Sequence, residues 1–293
     1  GVAVAFARDM LDDSIHSSDQ LTKVVPLPLL GMTPQLPLAK KNKLIIQLPF
    51  GKKRQVSPSS ATEPIIKLPF GKPEGAAPCT IEVIHSPLAW KSFDLIYKNI
   101  QLQNSGSSFS PLIITSALDG EGKSTIALGL AISAARLHQR VLLIDADFHQ
   151  PMLHKQLNLP NEYGLSTLLE SNATMPIRSH IPGSDLYIDI LTSGSIPHDS
   201  VNLLSSPQMQ RLMTGFEQAY DLVLVNAPPV LGMVDSLLLA SCCRGVVLVA
   251  RIDLVTKTAL TETTAMLKKL NAIGMIANGG ISLKKGNIPS VKS

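Results

Sequence analysis

From about residue 80 onward the hydrophobic positions gather into short, nearly unbroken apolar runs separated by longer segments of helical length. The runs Leu112–Thr115, Val141–Ile144, Leu186–Leu191, Leu222–Val225, Val246–Ala250 and Ile273–Ala277 have strand length. Between them lie helical stretches at 124–137, 206–219, 235–243 and 257–270. Strands that are apolar at successive positions must be buried on both faces, which a parallel sheet covered by helices provides. Right-handed crossovers then predict an α/β fold, a doubly wound parallel sheet, over residues 79–285.

The first 78 residues read differently. Gly1–Ala7 is apolar from its first residue, which fits either a buried helical turn or the tail of a transmembrane helix. The segment 1–38 is accordingly expected to be juxtamembrane, and 39–78 to be a basic linker rich in Lys, Pro, Ser and Gly. Within that linker Ile45–Lys52 recurs as Ile65–Lys72, a duplicated IIxLPFGK motif. It reads as a duplicated linker patch or as a tandem segment that adds a strand to a partner's sheet. The cations Lys40, Lys41, Lys43, Lys52, Lys53 and Arg54 suit the cytoplasmic face of a membrane, where anionic lipid attracts them. Residues 286–293 form a tail, and no apolar run in this sequence is long enough to span a bilayer.

Composition narrows the class without changing the fold. Of 293 residues, 45% are hydrophobic and 16% charged, so the chain can bury a substantial core and is not of the disordered type. A net charge of +4 gives no support for nucleic-acid binding. The three cysteines, Cys79, Cys242 and Cys243, show no metal-binding spacing and fit a reducing compartment.

The chemistry concentrates in Ser116–Thr125, placed between a predicted strand and a predicted helix. Backbone N–H groups of such a loop point at phosphate oxygens, and the helix N-terminus adds positive dipole. Asp119, Gly120, Glu121, Gly122, Lys123, Ser124 and Thr125 are the candidate nucleotide-binding residues. Lys123 would reach the outer phosphates and Ser124 would ligate Mg²⁺. Next, Asp145 and Asp147 close a neighbouring strand, where one carboxylate can hold the metal or its water and the other can take a proton. A third strand ends in Asn226, where a Walker B carboxylate would stand, so an amide replaces a charge in the candidate metal set Ser124, Asp145 and Asn226.

The P-loop, the Asp145-Ala146-Asp147 strand end and the Pro228-Pro229 after Asn226 resemble the bacterial tyrosine kinases of polysaccharide copolymerases, the cyanobacterial branch above all. Leu29–Pro34, Ser86–Leu102, Pro151, His154, Gly164–Ser166 and Ala277–Gly279 extend the resemblance over nearly the whole chain. It implies a P-loop NTPase of the deviant-Walker, MinD/ParA-like type that uses ATP and Mg²⁺ to phosphorylate tyrosines. Lys123, Asp145 and Asp147 would be catalytic, and Asn278 would join the nucleotide site. The implied setting is the cytoplasmic side of the bacterial plasma membrane. There the domain would form a homo-oligomer, work with its own or a neighbouring membrane chain-length domain, and serve the exopolysaccharide export machinery. Several positions depart from the pattern. Lys91 and Asp94 reverse the charges of the family's ring contact, His149 and Gln150 replace arginines, and no tyrosine follows Tyr220. Two activities therefore stand open, a kinase with weakened transfer and an ATP-binding scaffold. A MinD/ParA-type ATPase is the third reading, against which Leu118 occupies the place of that class's signature lysine.

Overall fold

The computed structural model describes residues 13–34, 87–103, 110–171, 177–180 and 187–281. Gly1–Ala7, both copies of the linker motif, the basic cluster and the tail from 286 lie outside the described residues.

The strands are β1 Leu29–Pro34, β2 Leu112–Ser116, β3 Val141–Asp145, β4 Ile177–His180, β5 Tyr187–Leu191, β6 Leu222–Asn226, β7 Gly245–Arg251 and β8 Ala272–Ile281. The helices are α1 Ser18–Val24, α2 Pro87–Leu102, α3 Lys123–Arg136, α4 Leu153–Leu157, α5 Leu165–Ser171, α6 Ser200–Leu204, α7 Pro207–Ala219, α8 Asp235–Ser241 and α9 Lys257–Leu267. One sheet carries the strands in the order β1-β8-β7-β2-β6-β3-β5-β4. Every pairing is parallel except β4 against β5.

The unbroken apolar runs have the cause inferred from sequence. Leu112 and Ile114 of β2 enter the core beneath α2 and α3, whereas Ile113 enters the core shared by α1, α7, α8 and α9. In β3, Val141 and Leu143 face the first core and Leu142 and Ile144 the second. Alternate side chains point to opposite faces, so a strand covered on both sides needs apolar residues throughout.

Two elements differ from the sequence expectation. Within the segment read as juxtamembrane, Leu29–Pro34 joins the sheet, where β1 adds an edge strand parallel to β8. An edge is where a strand bounded by prolines can sit, because a missing N–H on the open side breaks no ladder. The side-chain amide of Asn99 donates to the Leu30 carbonyl at 2.8 Å, and Leu30 is buried. Further upstream, Ile15 exchanges backbone hydrogen bonds with Val255 and Asp253, and Asp13 accepts from the Thr258 N–H and hydroxyl. The second difference is β4, a polar Ile-Arg-Ser-His strand whose hairpin with β5 has no apolar signature. Asp94 is also engaged within the chain, accepting from Arg136 at 2.9 Å and from the Ser133 hydroxyl at 2.7 Å, while Lys91 is exposed. No helix among the described residues is long and apolar enough to cross a membrane.

Candidate functional site

In a parallel sheet the crevice for ligands lies at the carboxyl ends of the strands. The loop between β2 and α3 sits there. Gly120 and Gly122 adopt φ values of 78° and 91°, which L-residues with a Cβ rarely hold. A Cβ on Gly122 would also stand 2.3 Å from Nδ2 of Asn278, so this position excludes side chains twice over. No side chain caps the start of α3, which leaves the amides of its first turn to an incoming anion. Lys123 is 6% exposed, and its Nζ lies 3.7 Å from Oδ1 of Asp119. Ser124 and Thr125 follow in the same turn, partly exposed.

Two of the residues assigned to nucleotide from sequence, Glu121 and Asn278, make side-chain contacts within the protein. The Glu121 side chain turns inward and is fully buried, accepting from the Leu118 N–H at 2.6 Å and the Arg251 N–H at 3.0 Å. Burial pushes its carboxyl up to about 7, against the opposing pull of those N–H groups and of Lys123. Asn278 stands behind the loop, donating to the Glu121 carbonyl at 2.8 Å and accepting from the Thr33 hydroxyl at 2.9 Å. Both side chains therefore brace the loop from inside the protein. Arg251 completes the brace by donating through Nη1 to the Gly120 carbonyl at 3.2 Å. Neither Thr33 nor Arg251 was legible as a site residue, because each acts through tertiary contacts with no local motif.

Across the crevice, β3 and β6 are neighbours and pair Asp145 with Asn226. The amide Nδ2 of Asn226 donates to Oδ1 of Asp145 at 2.9 Å, and the other Asp145 oxygen accepts from the N–H groups of Met152 and Leu153 at 3.2 and 3.0 Å. Burial raises the Asp145 carboxyl to about 6, with the Asp147 charge adding to the rise and the donors opposing it. Oδ1 of Asn226 is buried with no hydrogen-bond partner. An orphaned acceptor beside a buried carboxylate is the donor set that a cation's bound water would satisfy, so the pair fits a hydrated Mg²⁺. Among the described residues no group of three or more His, Cys, Asp and Glu could hold a metal.

Asp147 is 4% exposed and accepts the Gln150 N–H at 2.9 Å through Oδ1. The two residues that follow it in place of arginines tie the rim together. His149 Nε2 lies 3.0 Å from Oδ2 of the buried Asp235, and Gln150 Nε2 donates to Asp119 at 3.3 Å. Thus the loops after β2, β3 and β6 are linked at the crevice mouth. Asp235, the first residue of α8, was missed by sequence reading, since an acid at a helix start reads as ordinary dipole compensation.

With this geometry in hand, the similarities are specific. The family of CobQ/CobB/MinD/ParA nucleotide binding domains matches residues 112–279. Tyrosine-protein kinase YwqD of Bacillus subtilis (strain 168) is 34% identical over 191 residues, which make up 64% of this chain and 80% of the relative. Tyrosine-protein kinase ptk of Acinetobacter johnsonii is 26% identical over 284 residues, 96% of this chain but 34% of the relative. The chain thus spans about a third of that longer protein. Among solved structures, the kinase domain of Escherichia coli tyrosine kinase ETK superposes with a TM-score of 0.67 at 23% identity, covering 92% of this chain and 95% of that one. That last likeness shows a shared fold.

Proposed function

The chain belongs to the CobQ/CobB/MinD/ParA nucleotide-binding family and, within it, to the bacterial tyrosine kinases, and on that premise we propose that it binds Mg-ATP and transfers the outer phosphoryl group slowly. The observation that carries this reading is the pairing of an uncapped α3 N-terminus and buried Lys123 with the buried carboxylates at the end of β3. Backbone amides of residues 119–125 would cradle the phosphates, and the Lys123 ammonium would neutralise the outer ones. Bound Mg²⁺ would draw charge from the transferring phosphoryl group. Ser124, Asp145 and the Asn226 carbonyl oxygen would hold that ion or its water. Asp147 would take the proton from an attacking hydroxyl. Because Asn226 contributes no charge, metal is held less firmly than by a carboxylate, and transfer is slowed rather than abolished.

The expected setting is the cytoplasmic face of a bacterial plasma membrane. There the domain would assemble with copies of itself and with a membrane chain-length domain, and regulate exopolysaccharide polymerisation and export. A second reading, an ATP-binding scaffold of the same export machinery, is favoured by Asn226 and by His149 and Gln150 in the place of arginines. Calorimetry and a turnover assay separate the two. Lys123→Met should lose most Mg-ATP affinity, and Asn226→Asp should raise turnover by about ten-fold. Equal affinity in Lys123→Met would sink the nucleotide assignment. An inert Asn226→Asp protein would favour the scaffold.

A further inference from the structure

Lys123 opens α3 with its side chain only 7% exposed. An ammonium taken so far out of water is costly unless an anion stands beside it. Two carboxylates are candidates for that place. Glu121 is committed elsewhere, since its two oxygens accept the N–H groups of Leu118 and Arg251. Burial raises its carboxyl to about 7, so near neutral pH it carries only part of a charge. Asp119 is the other candidate. Its Oδ1 lies 3.7 Å from Nζ of Lys123, and among the described residues that ammonium forms no other ion pair.

The backbone around Asp119 is fixed, whereas its side chain is not. On one side the Leu118 N–H donates to Glu121 at 2.6 Å and the Leu118 carbonyl accepts from the Ser116 hydroxyl, also at 2.6 Å. On the other, the Gly120 carbonyl accepts from Nη1 of Arg251 at 3.2 Å. The Asp119 side chain is 48% exposed, and its Oδ2 accepts from Nε2 of the exposed Gln150 at 3.3 Å. Both of its contacts are long and open to water. Rotation about its side-chain bonds can therefore carry the carboxylate into solvent while the loop backbone keeps its shape.

We propose that the Asp119 carboxylate competes with the outer phosphates of the nucleotide for the Lys123 ammonium, so that its charge weakens Mg-ATP binding. The inference rests on the nucleotide reading of this loop and deepens it. From sequence, Asp119 counts among the residues that bind nucleotide, and its backbone keeps that part. Its side chain acts with the opposite sign. A carboxylate and a phosphate make the same kind of demand on an ammonium, and two anions drawn to one half-buried cation repel each other. For phosphate to take Lys123, the Asp119 carboxylate must withdraw and rehydrate, and the ion pair it gives up is subtracted from the affinity. A partly exposed pair of this kind is worth about five-fold in an equilibrium constant. Asp119 thus sets how tightly the loop holds its nucleotide, and Gln150, on the loop after β3, helps to keep the competing carboxylate in place.

The test is calorimetry of Mg-ATP binding to the full chain and to two variants. Asp119→Asn keeps the size of the side chain and removes its charge, whereas Asp119→Glu keeps the charge. At low salt Asp119→Asn should bind Mg-ATP about five-fold more tightly than the parent. Mg-ATP should also raise its melting temperature by more than it raises the parent's. Asp119→Glu should bind no more tightly than the parent. The gain in Asp119→Asn should shrink at about 1 M salt, where charges are screened within about 3 Å, a response that a mere change of loop shape would not give. Equal or weaker binding by Asp119→Asn, while the parent binds, overturns the competition and leaves the nucleotide reading standing. A gain shared by Asp119→Glu, or one that salt leaves untouched, overturns it as well. Mg-ATP binding by neither the parent nor Asp119→Asn overturns both proposals.

Discussion

The loop between β2 and α3 and the adjoining ends of β3 and β6 face one crevice but are finished differently. Behind the loop, Glu121 accepts two N–H groups, and Asn278 donates to the Glu121 carbonyl while accepting from Thr33. At the strand ends, Asn226 gives its N–H to Asp145 and keeps a buried carbonyl oxygen without a partner. The loop is thus braced from within the protein, whereas the strand ends keep one buried acceptor, Oδ1 of Asn226, without a protein partner. Preorganisation favours binding, and under the proposed function an amide in place of a carboxylate would weaken the hold on metal. Under that proposal, binding and turnover could be tuned apart within one crevice.

The largest effect should come from breaking the braced loop. Gly122→Ala would put a Cβ 2.3 Å from the Asn278 amide at a backbone φ of 91°. Strain and a displaced hydrogen bond together should cost about 3 kcal/mol, read as weakened Mg-ATP affinity in calorimetry together with a lower melting temperature. Unchanged affinity would show that Asn278 does not brace the loop.

Next in size is the pair at the strand ends. Asn226→Asp replaces the donor at 2.9 Å from Asp145 with a second buried carboxylate. Without metal the variant should lose about 2–3 kcal/mol of stability in denaturant titration, and Mg-ATP should stabilise it more than it stabilises the parent. Equal stability of the two proteins without metal would mean that the Asn226–Asp145 hydrogen bond contributes little.

The smallest effect is a pH dependence that marks the brace itself. Glu121 has its carboxyl raised from 4.5 to about 7 in the folded protein, so the folded chain binds the proton that the unfolded chain releases over this range. Stability therefore falls as pH rises between these values, by about 2 kcal/mol from pH 5 to pH 7 for this one group. Glu121→Gln should flatten that slope in thermal melts at the two pH values. A slope unchanged by the substitution would place its origin elsewhere.

How much of this was legible depended on whether a feature is local. The apolar runs, the Gly120–Thr125 loop and the Asp145–Asp147 strand end are contiguous, and each constrains its own backbone and its own chemistry. Their place at one edge of a doubly wound sheet followed from strand period and crossover handedness alone. The sequence by itself determined the fold class, the phosphate-binding loop, and the loss of charge at Asn226. Only the tertiary structure decided that Leu29–Pro34 belongs to the sheet and that the Glu121 and Asn278 side chains hold the loop from behind. Thr33 and Asn278 are 245 positions apart, as are Asp13 and Thr258. Contacts of that separation arise from the packing of strands and helices into one core, and no periodicity within a segment encodes which distant segment it will meet.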